Sequence, residues 1–81
     1  MLHARQDYNE RIQDSAHLIP EEEPVFLIRA QDICGPAALR TWIEEAVKRG
    51  AADNIIQAAR VQLELFKGWR DMRGVKIPDM P

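Results

Sequence analysis

Leu39, Trp42, Ile43, Ala46 and Val47 recur at the i, i+3, i+4, i+7, i+8 spacing of one apolar helix face. Ahead of them, behind Pro24, stands an unbroken apolar run of Val25, Phe26, Leu27 and Ile28. Together these features constrain the fold more than anything else in the chain. The run is short and rich in β-branched and aromatic side chains, so it predicts a strand or buried extended segment that leads into a helix. A lone strand cannot pair with itself. It is expected either to lie as a strap across the helices or to pair with the same strand of a second copy.

The helix that follows is expected over 33–49. Asp32 or Gly35 starts it, with Asp32 a good N-cap, and Pro36 is tolerated in a first turn because the N–H it lacks would have no partner there. Lys48 and Arg49 suit the negative end of the helix dipole, and Gly50 suits a left-handed C′ position. Ala51 and Ala52 are too short a link for anything but an antiparallel return. A third helix is expected over 53–73. Ile55, Ile56, Ala59, Leu63 and Phe66 mark one of its faces; Ala58, Val61, Leu65, Trp69 and Met72 mark a second, adjacent one. That is more apolar surface than a single contact needs, so the second face is assigned to the first helix or to a partner. The first helix is expected over 2–16, from Ala4, Tyr8, Ile12 and Ala16 at four-residue steps and an Asp7–Arg11 pair at i, i+4. Its stripe is narrow and needs a surface to lie on. Residues 17–32 form the connector and strap, with Glu21, Glu22 and Glu23 keeping its start solvated. Residues 74–81 form a proline-bearing tail. The predicted fold is mainly α: three helices in one small domain, an extended strap between the first two, and the last two as an antiparallel hairpin.

With 81 residues, such a chain buries only about 60–65% of its unfolded surface, and its core is thin. The single cysteine, Cys34, offers no intrachain disulfide, which leaves self-association as the expected source of extra stability. The formal net charge of −2 gives no bulk attraction to a phosphate backbone, so a nucleic-acid partner is not expected. No apolar run approaches the ~18–20 residues of a membrane span, and the N-terminal stretch has no apolar signal region. The expected location is the cytoplasm, with no membrane contact.

Most candidate chemistry reduces to ordinary surface. His3 and His17 stand far apart with no ligand spacing around them, and both read as exposed polar residues. Cys34 lies near a helix start but lacks a base by pattern. Glu21–Glu23, and Glu44 with Glu45, read as solvated charge. There is no phosphate-binding glycine loop, nucleophile elbow or deaminase-type metal pattern. No enzyme, cofactor or metal is expected. One set stands out: Tyr8 with Arg5, Arg11 and Arg29. Arg29 directly follows four apolar residues, so it is expected to meet either Asp32 or an anionic ligand. A second set, Arg60, Lys67, Arg70, Arg73 and Lys76, is diluted by Glu64, Asp71 and Asp79 and reads as a solvated face. Trp42 is assigned to the core face of its helix and Trp69 to a subunit contact.

The run EPVFLIRAQD, followed by Gly35 and Pro36, Leu39 and Arg40, Trp42 and a glycine–alanine turn at Gly50 and Ala51, resembles a family of short uncharacterised proteins of tailed phages and prophages. The resemblance spans roughly residues 8–70 and the proline-rich ending, and it carries no catalytic or binding residue with it. It implies an accessory protein in the cytoplasm of an infected bacterium and, by analogy, one that binds something of the host. On this basis the chain is expected to be a non-enzymatic homo-oligomer that counters host defence by sequestering a small anionic, nucleotide-type signal at subunit interfaces. Tyr8 would stack on a base, and Arg5, Arg11 and Arg29 would hold phosphates. The alternative is an inhibitor that masks a host enzyme or nuclease through a helical face.

Overall fold

Two helices joined by a tight turn carry most of the regular structure. A computed structural model describes residues Met1–Asp79. In chain order the elements are β1 (Leu2–His3), α1 (Gln6–Asn9), β2 (Pro24–Val25), α2 (Gly35–Lys48) and α3 (Asp53–Arg73). They fall into two compact units, Met1–Ile28 and Arg29–Pro78.

In the second unit α2 and α3 form the expected hairpin. Gly35, at the start of α2, lies against Phe66 in the later part of α3. The core where the chain turns back gathers Ile43, Ile56 and Leu63, with Leu39, Ala46, Ala51 and Ala59 packed around them. The two helices therefore run antiparallel. Gly50 takes φ 75°, which glycine adopts without strain. Its N–H donates to the Val47 carbonyl at 3.2 Å, and the Ala51 N–H donates to the Ala46 carbonyl at 2.9 Å. Those two bonds close the helix end as a Schellman motif, satisfying carbonyls that would otherwise face nothing. Burying Ile43, Ile56 and Leu63 contributes about 1.5–3 kcal/mol each.

The start of α2 differs in detail from the expected cap. Cys34, not Asp32, occupies the N-cap position. Asp32 instead turns the chain into the helix: its carboxylate accepts the Cys34 N–H at 2.8 Å, and its backbone carbonyl accepts the Gly35 N–H at 2.9 Å. Beyond α3, Gly74 at φ 79° redirects the chain. The Lys76 N–H then donates to the Gln31 carbonyl at 2.8 Å, and the Lys76 carbonyl accepts the Ile33 N–H at 2.9 Å. The start of the tail is thus bonded to the loop ahead of α2. Met80 and Pro81 of the expected tail lie outside the described residues.

The first unit corrects two expectations. The helix predicted over 2–16 is a single turn, Gln6–Asn9. Side chains there bond the backbone in place of a helical ladder. Asn9 Oδ1 accepts the His3 N–H at 2.7 Å, and the Asp14 carboxylate accepts the N–H groups of Leu18 and Ile19 at 3.2 and 2.8 Å. Such local bonds compete directly with helix formation. The strap also has a partner within the chain: Leu2 and His3 pair parallel with Pro24 and Val25, in the register Leu2↔Pro24 and His3↔Val25. Pro24 stands first in its strand, where its missing N–H does no harm. The apolar run is less buried than predicted, with Val25 and Ile28 half-buried and Phe26 and Leu27 exposed.

Candidate functional site

Two surfaces merit chemical attention, one in each unit. In the first, His3 is buried, contrary to its expected exposure. Its Nδ1 accepts the Arg5 N–H at 2.8 Å and its Nε2 lies 3.4 Å from the Leu27 carbonyl. An acceptor role at Nδ1 puts the proton of the neutral ring on Nε2, facing that carbonyl. The ring meets Tyr8 edge-on at 5.0 Å and stacks on Phe26 at 4.9 Å.

Around Tyr8 the predicted site residues partly gather. The Arg5 guanidinium sits 4.3 Å from the ring centroid and that of Arg11 5.9 Å. Arg5 is already engaged by Asp7, with Nη2 at 2.9 Å and Nε at 3.2 Å from the two carboxylate oxygens. This two-point bond holds the Asp7 carboxyl below its usual range and raises the Arg5 guanidinium above its own. Tyr8 is 3% exposed, so the stacking role expected of it has no open ring face. Arg29 does not join this group: it is exposed, in the second unit, and the Asp32 carboxylate expected to pair with it accepts the Cys34 N–H.

The second surface is a flank of the helical hairpin. Trp42, expected in the core, is 48% exposed, and Ile55, Val61, Leu65, Trp69 and Met72 are 41–82% exposed. At about 100° per residue, Ile55 and Trp69 sit beside the packed edge of α3, and Leu65 and Met72 lie further round the same side. With α2 antiparallel, Trp42 projects on the same side of the hairpin. Along the later half of α3 a cavity of about 450 Å³ opens between Ala30, Leu65, Phe66, Trp69 and Met72. Arg73 lies over Trp69 at 5.1 Å and contributes a charged rim. The sequence marked Leu65, Trp69 and Met72 as a second face of α3; it placed Ile55 on the packed face, where it is 50% exposed, and its spacing concealed that Trp42 extends the flank instead of filling the core.

Several of the remaining charges are paired locally. Lys67 meets Glu64 at 3.3 Å, Arg70 meets Asp71 at 3.5 Å, and Glu45 meets both Lys48 and Arg49 at 3.6 and 3.4 Å. Of the basic set on α3, Lys67 and Arg70 are thus neutralised on their own helix. Cys34 is exposed. Among the described residues, no group of three or more His, Cys, Asp or Glu side chains is placed to hold a metal ion. No helix among them is long and apolar enough to cross a membrane. Against protein-family models, curated proteins and solved structures, the chain finds no match.

Proposed function

We propose that this chain is a non-enzymatic accessory protein of phage origin that counters host defence in the bacterial cytoplasm by binding, with the apolar flank of α2 and α3 as its contact surface. The observation that carries this reading is the exposure of two tryptophans and of Ile55, Leu65 and Met72 along one flank of the hairpin. Contiguous apolar surface of this kind marks contact sites in small soluble domains. Tryptophan with a neighbouring arginine, as at Trp69 and Arg73, is the composition of binding hot spots. The partner is a protein with a matching apolar helix or groove. In the test, tagged protein is used to recover stoichiometric protein partners from bacterial lysate, alongside a Leu65→Lys variant of unchanged helicity. Wild type holding a partner, host protein or second copy, that the variant loses is the expected result. If neither form holds any protein, the proposal fails.

A second reading, sequestration of a small anionic nucleotide at a subunit seam, draws support from the two guanidiniums at Tyr8. Because Tyr8 is enclosed and Arg5 is bound to Asp7, exposed Arg11 becomes the principal anion donor and base stacking on Tyr8 drops out. A thermal-shift series over cyclic di- and trinucleotides and ADP-ribose derivatives tests this. Stabilisation that Arg11→Glu abolishes supports the reading, and a flat series ends it.

A further inference from the structure

The exposed side chains of α3 have a spacing that specifies more than apolar character. Ile55, Ala58, Gln62, Leu65, Trp69 and Met72 follow one another at steps of three, four, three, four and three residues. This is the a/d alternation by which one helix seats against another helix along its length. All six are exposed, and α2 occupies a different edge of α3, the one that carries Ile56, Ala59, Leu63 and Phe66. We propose that the occupant of this stripe is the same stripe of a second copy, with the two α3 helices antiparallel about a two-fold axis near their midpoint. This rests on the reading of the hairpin flank as a contact surface, and it names the partner.

Three observations select a second antiparallel copy. The first is size matching. An antiparallel register centred on the stripe sets Ile55 against the partner's Met72, Ala58 against the partner's Trp69 and Gln62 against the partner's Leu65, so the largest side chain faces the smallest. The second is charge. The first turn of α3 carries Asp53, and its last turn carries Arg70, paired with Asp71, and Arg73, which is left as the net positive charge of that end. Antiparallel pairing lays the acidic start of each helix beside the basic end of the other and opposes the two helix dipoles. Parallel pairing would set Asp53 against Asp53, Arg73 against Arg73, and the two tryptophans against each other. The third is area. Taking about 150–250 Å² for each large side chain, the exposed fractions along this flank, Trp42 included, come to about 400–700 Å² per copy. A pair then covers roughly 800–1,400 Å², which reaches the lower end of the 1,200–2,000 Å² range of stable interfaces. Gln62, the single polar member, lies close to the axis, where a buried amide fixes register.

The test uses the full chain in a Cys34→Ser background. Leu65 is close to the proposed axis, about 5 Å along the helix from its own copy, whereas Ile55 is about 26 Å from its own at 1.5 Å per residue. Sedimentation at micromolar concentration should give two copies. A short thiol crosslinker should join Leu65→Cys to itself and leave Ile55→Cys single. Leu65→Lys should sediment as one copy with its helical circular dichroism intact. A single subunit at 100 µM overturns the proposal, and so does Ile55→Cys crosslinking as readily as Leu65→Cys, which marks a parallel pair. A lone subunit whose flank still captures a host protein overturns the pairing and leaves the proposed function standing; a lone subunit that captures nothing removes both.

Discussion

Replacing Gly35 and Gly68 by alanine, one at a time, puts the same methyl group into two helical positions with opposite surroundings. At Gly35 a Cβ would stand 3.1 Å from two ring carbons of Phe66 and 3.3 Å from the Arg29 carbonyl oxygen. The ring belongs to the buried face of α3 and the carbonyl is backbone, so neither yields freely. Alanine gains about 0.5–1 kcal/mol over glycine in helix preference. Forcing a methyl into a packed contact costs about 1–3 kcal/mol. The contact wins, and Gly35→Ala should lose about 1–2 kcal/mol, or about 5–10 °C in melting temperature for a domain of this size. At Gly68 an added Cβ meets nothing within 4 Å. Only the helix preference remains there, so Gly68→Ala should gain about 0.5–1 kcal/mol. Thermal and urea unfolding followed at 222 nm, at one fixed protein concentration, separates the two variants. Equal signs for both, or a Gly35→Ala protein as stable as wild type, would refute the close approach of α2 to Phe66.

Ile43→Ala, which empties the centre of the α2–α3 core, should cost about 2–4 kcal/mol and leave the hairpin marginal; a loss below about 1 kcal/mol in urea unfolding would mean that the core lies elsewhere. Asp14 is held below the usual carboxylate range, first by the Ile19 N–H and then by that of Leu18. A depressed carboxyl contributes order that is present above its unfolded pKa and is lost as pH falls through the folded one. The Ile19 amide signal should therefore titrate with a midpoint under that of an ordinary aspartate, and a midpoint at or above it counts against the bond. Trp42 and Trp69 are each near half exposed in the single chain, so iodide should quench their fluorescence in dilute protein and quench it less as concentration rises. Strong protection at nanomolar dilution would show that the flank is covered within one chain.

The hairpin was legible because its signals are local and redundant. Residue spacing, Pro36 and the turn glycines Gly50 and Gly74 bracket α2 and α3 to within about two residues. The first unit was not, since its order comes from single side chains reaching backbone N–H groups at His3, Arg5, Leu18 and Ile19, and no periodicity reports those bonds. A two-residue strand such as Leu2–His3 is likewise below any pattern length. Of the candidate site, Arg5, Tyr8 and Arg11 were singled out as one set from residue type, and they do gather. Two further facts leave no mark in the sequence: Asp7 engages Arg5 across two residues, and Arg29 belongs to the other unit. Trp42 misled because helical spacing places a residue within a face and is silent about where the neighbouring helix ends.

The two bonds that Lys76 makes to Gln31 and Ile33 fasten the chain just past α3 to the chain just before α2. What would be an open-ended hairpin becomes a closed loop, buckled at the end away from its turn. Unravelling α3 from its far end then requires this buckle to open first, so the two helices should be lost together and not turn by turn. A hairpin with so little interior thereby gains cooperativity from the placement of one short segment.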